Sequence, residues 1–137
     1  MKKVVLQLVT WNGIRYLPEL FASLSAQTYK DFEVTILDNH STDGTYEWLS
    51  HNASLFVSVV SLQCSETNLG FAGGHNALYL KSLNDSCEYL FLVNQDLKLK
   101  PEYIDELVRI MDENKNVGIC AGLLLGWDGT QIDSAGL

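Results

Sequence analysis

Stretches with strand character and stretches with helix character take turns along this chain without a break, and that alternation restricts it to a layered α/β architecture. Val4–Trp11 is predicted as the first strand. Leu17, Leu20, Phe21 and Leu24 then recur at helical spacing, with Pro18 tolerable only in the first turn. Phe32–Asn39 is the second predicted strand, and Ser41 or Thr42 is expected to cap a short helix through Glu47-Trp48-Leu49. Phe56–Leu62 is β-branched and alternating, as a third strand should be. A helix from about Gly73 to Leu83 and a strand over Tyr89–Gln95 follow. Pro101 then starts a helix whose apolar face is Ile104, Leu107, Val108 and Met111. Val117–Leu125 is expected as a fifth strand or extended segment, and Asp128-Gly129 as a turn before a short extended piece to Leu137. Repeated βα units imply a mostly parallel sheet with right-handed crossovers and helices on both faces.

Two of the strands carry more than fold information. Phe32-Glu33-Val34-Thr35-Ile36-Leu37 ends on Asp38, and Tyr89-Leu90-Phe91-Leu92-Val93-Asn94-Gln95 ends on Asp96. Such runs suit strands buried on both faces of a parallel sheet, and acids at their carboxyl ends lie where open α/β sheets bind ligands. A ligand with an imide donor, a ribose or a metal ion explains two carboxylates there. The chain carries a net charge of −8, which excludes a nucleic-acid backbone as partner, because that binding needs clustered Lys and Arg. An anionic ligand must then be held locally, by a cation or by backbone N–H groups. No apolar run approaches the roughly 18 residues of a membrane span. Cys64, Cys87 and Cys120 share no metal-ligand spacing and are expected as reduced, mostly buried thiols.

Four loops hold the candidate chemistry. After the first strand comes Thr10-Trp11-Asn12-Gly13, in which Trp11 can stack on a planar base while Thr10 and Asn12 hydrogen-bond; a core-edge Trp and a capping Asn are the structural alternative. The second loop is Asp38-Asn39-His40-Ser41-Thr42-Asp43-Gly44-Thr45. Asp38 there can accept a base imide N–H or a ribose hydroxyl, and Asp43-Gly44 is a turn. The third is Asn68-Leu69-Gly70-Phe71-Ala72-Gly73-Gly74-His75-Asn76, glycine-rich before a helix, where the backbone can approach an anion closely. It lacks both the dinucleotide fingerprint and the P-loop spacing. The fourth is Asn94-Gln95-Asp96. A carboxylate facing a diphosphate requires a divalent cation between them, and Mg²⁺ or Mn²⁺ commonly takes one or two carboxylates plus substrate phosphates.

Taken in order, T-W-N-G, Q-T-Y with F-E-V-T-I-L-D-N-H-S-T-D-G-T, N-L-G-F-A-G-G-H-N and N-Q-D resemble the family 2 inverting glycosyltransferases of the GT-A fold, especially the rhamnosyltransferase-like branch. The resemblance runs from Val4 to about Gly126. It implies that residues 1–137 are the N-terminal, nucleotide-sugar-binding part of such a domain, C-terminally incomplete. Thr10, Asn12 and Asp38 match nucleoside-binding positions, with Trp11 near the base. Gly73, Gly74, His75 and Asn76 fall in the segment bordering the donor sugar and diphosphate. Asn94, Gln95 and Asp96 take the place of the D-x-D motif, with Asp96 as the Mg²⁺ or Mn²⁺ ligand and Asn94 replacing the first Asp.

The implied reaction transfers a sugar, rhamnose by the branch resemblance, from a dTDP- or UDP-linked donor to a glycan or lipid-linked acceptor with inversion. The general base lies further along in the family. Only Asp128 and Asp133 are late acids here, so the fragment alone is expected to be inactive. The resemblance also implies a cytoplasmic location, with peripheral association at the inner face of the membrane through the acceptor. A non-catalytic nucleotide-sugar-binding or scaffold module is the alternative. A sugar nucleotidyltransferase would need a glycine- and basic-rich loop after strand one, and a receiver-like domain an acidic cluster there; Trp11-Asn12-Gly13-Ile14-Arg15 is neither.

Overall fold

The computed structural model describes residues 4–82 and 87–135. Four parallel strands form the main sheet in the order β3-β2-β1-β4: β1 (Val4–Thr10), β2 (Phe32–Asp38), β3 (Val59–Cys64) and β4 (Tyr89–Asn94). The helices between and after them are α1 (Leu17–Ser25), α2 (Thr45–Phe56), α3 (Gly70–Ser82) and α4 (Tyr103–Glu113). A two-residue β5 (Leu124–Leu125) pairs antiparallel with β6 (Ile132–Ser134). Among the described residues no helix is long and apolar enough to cross a membrane.

The two faces of the sheet are dressed differently because strand side chains alternate. Val4, Leu6 and Leu8 of β1 join Val34 and Ile36 of β2 in one core with Leu17, Leu20, Phe21 and Leu24 of α1, Leu49 and Ala53 of α2, and Ile104 and Val108 of α4. Gln7 and Val9 point the other way, onto α3. Gln27, fully buried, links the core helices: its Nε2 donates to the Ser23 and Lys100 carbonyls and its Oε1 accepts the Ile104 N–H.

The predicted elements stand with five corrections. Phe56 closes α2 instead of opening a strand, since its ring stacks with Trp48 at 6.3 Å and meets Phe21 at 6.2 Å. Helical spacing from residue 48 to 56 puts those rings on one stripe, so packing overrides β-branched propensity. Asp43, and not Ser41 or Thr42, tethers the start of α2: it accepts the Thr45 N–H and hydroxyl beside Gly44 at φ +92°. Only Leu124 and Leu125 of the predicted fifth strand pair with anything, for Gly118 and Gly122 interrupt the run and Ile119 is almost wholly exposed. The run ending at Asp96 is an edge strand, with Leu90 and Leu92 open on the α3 face, whereas β2 is covered on both sides. The free cysteines are not mostly buried: Cys64 is exposed at the edge, and Cys87 and Cys120 are half-buried. The predicted Asp128-Gly129 turn is present, with Gly129 at φ +71°. The expected helix end at Leu83 and the final Gly136-Leu137 lie outside the described residues.

α3 lies so close to β1 that a Cβ on Gly74 would sit 2.7 Å from Val9 Cγ1. Gly74→Ala is therefore expected to destabilise the fold by about 1–3 kcal/mol through overpacking. Chemical denaturation checks this, and an alanine variant as stable as the parent contradicts so tight a seat.

Candidate functional site

The chain steps from β1 to β2 to β3 in one direction, then α3 carries it back across β1 to β4. The carboxyl ends of β1 and β4 thus form the topological switch point, where open α/β sheets leave a crevice. An open cavity of about 300 Å³ lies there. Val9, Thr10 and Trp11 at the end of β1 and Asn94, Gln95 and Asp96 at the end of β4 form one wall; Asn39, Asn68, Gly70 and Phe71 form the other. Of the residues predicted for the site, Thr10, Trp11, Asn94, Gln95 and Asp96 are brought together here.

Asp38 is not among them. It is fully buried, and its carboxylate accepts the Thr10 hydroxyl at 3.0 Å, the Ser41 hydroxyl at 2.6 Å and the Ser41 N–H at 2.9 Å, with the Cys64 thiol at 3.7 Å. A carboxylate with those partners organises the β2–α2 loop, directly behind the Thr10 that lines the cavity. Asn12 ties the same loop to the end of β1. At φ +46° it tolerates the left-handed backbone, its Oδ1 accepts the Thr42 N–H, and its own N–H donates to Ser41 Oγ.

The glycine-rich segment contributes its front and not its rear. Asn68, Gly70 and Phe71 reach the cavity; Gly73, Gly74, His75 and Asn76 do not line it. Gly74 serves the α3–β1 contact, and Gly73 lies against Leu69. Asn76 is exposed. His75 is buried, with Nδ1 3.4 Å from Gln7 Oε1 and Phe71 edge-on at 4.5 Å. Burial pushes its pKa below the ordinary 6.5, because the charged ring would be desolvated. Among the described residues, His75 Nε2 and Gln7 Nε2 are buried with no hydrogen-bond partner.

Asn39 was missed by sequence reasoning and holds the second wall together. Its Oδ1 accepts the Leu69 N–H and its Nδ2 donates to the Gly70 carbonyl, fixing the start of α3. The available signal was strand parity: if Asp38 faces inward at a strand end, the next residue faces the crevice. Phe71, 58% exposed, and Trp11, 53% exposed, give the cavity two aromatic faces.

Among the described residues that line the cavity, Asp96 is the only acid and none is a Lys, Arg or His. It is exposed. Among the described residues no group of three His, Cys, Asp or Glu forms a complete cation cage. One accessible carboxylate with the Asn94 amide nearby fits a Mg²⁺- or Mn²⁺-type ion that completes its shell with phosphate oxygens and water. It does not fit a structural metal. Asp128 and Asp133 stand away from the cavity lining. Hydrogen bonds from Thr130 hold the Asp128 carboxyl below its ordinary value, the wrong direction for a proton acceptor at neutral pH.

Fold and crevice together define an α/β domain of the switch-point, ligand-binding type. The chain belongs to glycosyl transferase family 2, whose family model matches residues 7–131. It is 29% identical over 117 residues to the poly(ribitol-phosphate) β-N-acetylglucosaminyltransferase TarS of Staphylococcus aureus, covering 83% of this chain and 20% of that protein. An uncharacterized glycosyltransferase of Haemophilus influenzae is 26% identical over 107 residues, covering 78% of this chain and 32% of its own. The crystal structure of TarS residues 1–349 in complex with UDP-GlcNAc superposes with a TM-score of 0.68 at 28% identity, over 82% of this chain and 32% of that one. A mannosyltransferase from Pyrobaculum calidifontis shares the fold, with a TM-score of 0.70 at 18% identity over 80% and 32% of the two chains. The architecture is GT-A, and the chain spans between a fifth and a third of the length of these relatives.

Proposed function

We propose that residues 1–137 form the nucleotide-sugar-binding part of a glycosyltransferase, with the β1–β4 cavity as its donor site. The observation that carries this reading is a crevice at the switch point with Trp11 and Asp96 on one wall and no cationic side chain among its described lining residues. Trp11 and Phe71 present faces for a base. The Asn94 and Asn68 amides offer hydrogen bonds to ribose or sugar hydroxyls. Asp96, with Asn94 beside it, holds a divalent cation. When bound, that cation neutralises charge on a leaving diphosphate. The first residues of α3, Gly70 and Phe71, border the cavity, and a helix N-terminus favours an anion.

UDP is the nucleotide to test first, because TarS binds UDP and UDP-GlcNAc; dTDP, with rhamnose, follows from the sequence resemblance. Transfer with inversion to a glycan or lipid-linked acceptor is the reaction of the whole protein in this reading. Proton removal from the acceptor is assigned to none of the described acids, since only Asp96 lines the cavity. Titration calorimetry of the folded chain with UDP and dTDP, each with and without Mn²⁺, is the test. UDP is expected to bind, and more tightly with the metal. A folded chain that binds neither nucleotide under either condition refutes the proposal.

A further inference from the structure

We infer that Gln95 is a positioning residue: its side-chain amide locks the Trp11 peptide and thereby sets the aromatic wall of the donor cavity. The inference rests on the donor-site reading above and deepens it. Gln95 Oε1 accepts the Trp11 N–H at 2.9 Å and its Nε2 donates to the Trp11 carbonyl at 3.1 Å. Both polar atoms of the carboxamide are therefore engaged by one residue of the neighbouring loop. The place matters as much as the bonds. Backbone pairing of β1 with β4 ends at Val9↔Asn94, and the Gln95 side chain takes over the ladder where the backbone abandons it.

Gly13 completes the device. A Cβ there would lie 2.1 Å from Gln95 Oε1 and 2.5 Å from its Cδ, so the carboxamide lies in space that only glycine leaves open. Gly13 is itself pinned by its N–H to Thr45 Oγ1 at 2.9 Å. Residue 95 must therefore be long enough to span, and must carry one donor and one acceptor. Asn is a methylene short, and an ionised Glu has no donor for the carbonyl. Trp11 is half exposed and sits on an irregular loop; without the clamp its indole must be ordered by the ligand at the ligand's expense. Asp96 is the next residue, yet both hydrogen bonds of the clamp go to the Trp11 peptide and neither engages the Asp96 carboxylate.

UDP titrations on the full chain test this, with Gln95→Ala and the bulk-preserving Gln95→Met, each checked for cooperative thermal unfolding. Both variants are expected to weaken UDP about tenfold, while the ratio of affinities with and without Mn²⁺ stays at the wild-type value. Gly13→Ala should reproduce the loss by expelling the carboxamide. The double variant Gly13→Ala/Gln95→Ala should bind no more weakly than Gln95→Ala, because the two changes act on one contact. In a Trp11→Ala background, Gln95→Ala should cost nothing further, which a merely structural role would not give. Gln95 variants that bind UDP like wild type, or losses that add in either double variant, overturn the inference alone. Wild-type protein that binds neither UDP nor dTDP, with or without Mn²⁺, overturns the donor-site reading and this inference with it.

Discussion

Asp96→Ala is expected to make UDP binding indifferent to Mn²⁺ and Mg²⁺, and to do so with two effects of opposite sign. In the wild-type chain the described residues lining the cavity supply one carboxylate and no side-chain cation. A diphosphate entering without metal meets a like charge; with metal, the same carboxylate becomes part of the cation's shell. Metal should therefore tighten UDP by about tenfold or more, equivalent to about 1.4 kcal/mol. Removal of the carboxylate erases that gain. It also relieves the repulsion, so Asp96→Ala without metal is expected to bind UDP somewhat more tightly than wild type without metal. A residue serving only packing produces no such crossing of the two curves. Because Asp96 is exposed, stability should stay within about 0.5 kcal/mol of wild type. Calorimetry at matched ionic strength reads both effects, and a variant that keeps its metal enhancement removes Asp96 from the cation's shell.

The alternation of elements and the stripe of α1 were legible because they are local: 3.6-residue and two-residue periodicities need no knowledge of neighbours. Thr10, Trp11 and Asp96 were legible for a related reason, since a strand end followed by polar residues identifies the sheet's carboxyl rim. What failed depended on which strand lay next to which. The run before Asp96 is as apolar as the run before Asp38, yet only β2 lies between two strands and under two layers of helix. Asp38 and Asn39 differ by a single step along the chain, and strand parity sends one into the loop's hydrogen-bond cluster and the other to the crevice. The glycines divide similarly. Gly74 answers to Val9 across the α3–β1 contact, a tertiary demand that looks identical in sequence to a ligand's demand for close approach. Gln95 falls within the N-Q-D triplet, and its pairing with the Trp11 peptide is visible only once β4 is placed beside β1.

The residue that invited the most direct functional reading is expected to have its largest effect on folding. Asp38→Ala removes the acceptor of three short hydrogen bonds, from the Thr10 hydroxyl and from both the N–H and hydroxyl of Ser41. Thr10 is fully buried, so its hydroxyl finds no water in exchange, and each stranded buried group costs about 1–3 kcal/mol. A total near 3 kcal/mol is expected, which for a domain of this size lowers Tm by about 10 °C. Asp38→Asn should recover only part of this. Its amide keeps one acceptor oxygen but turns a donor toward groups that are themselves donating. Ser41 also accepts the Asn12 N–H, and Asn12 in turn accepts from Thr42, so loosening Ser41 reaches the loop that carries Trp11. UDP affinity should consequently fall less than stability does when measured at a temperature where the variant is fully folded. The opposite pattern, with unchanged Tm and abolished UDP binding, would show that the Asp38 carboxylate leaves its partners for the ligand.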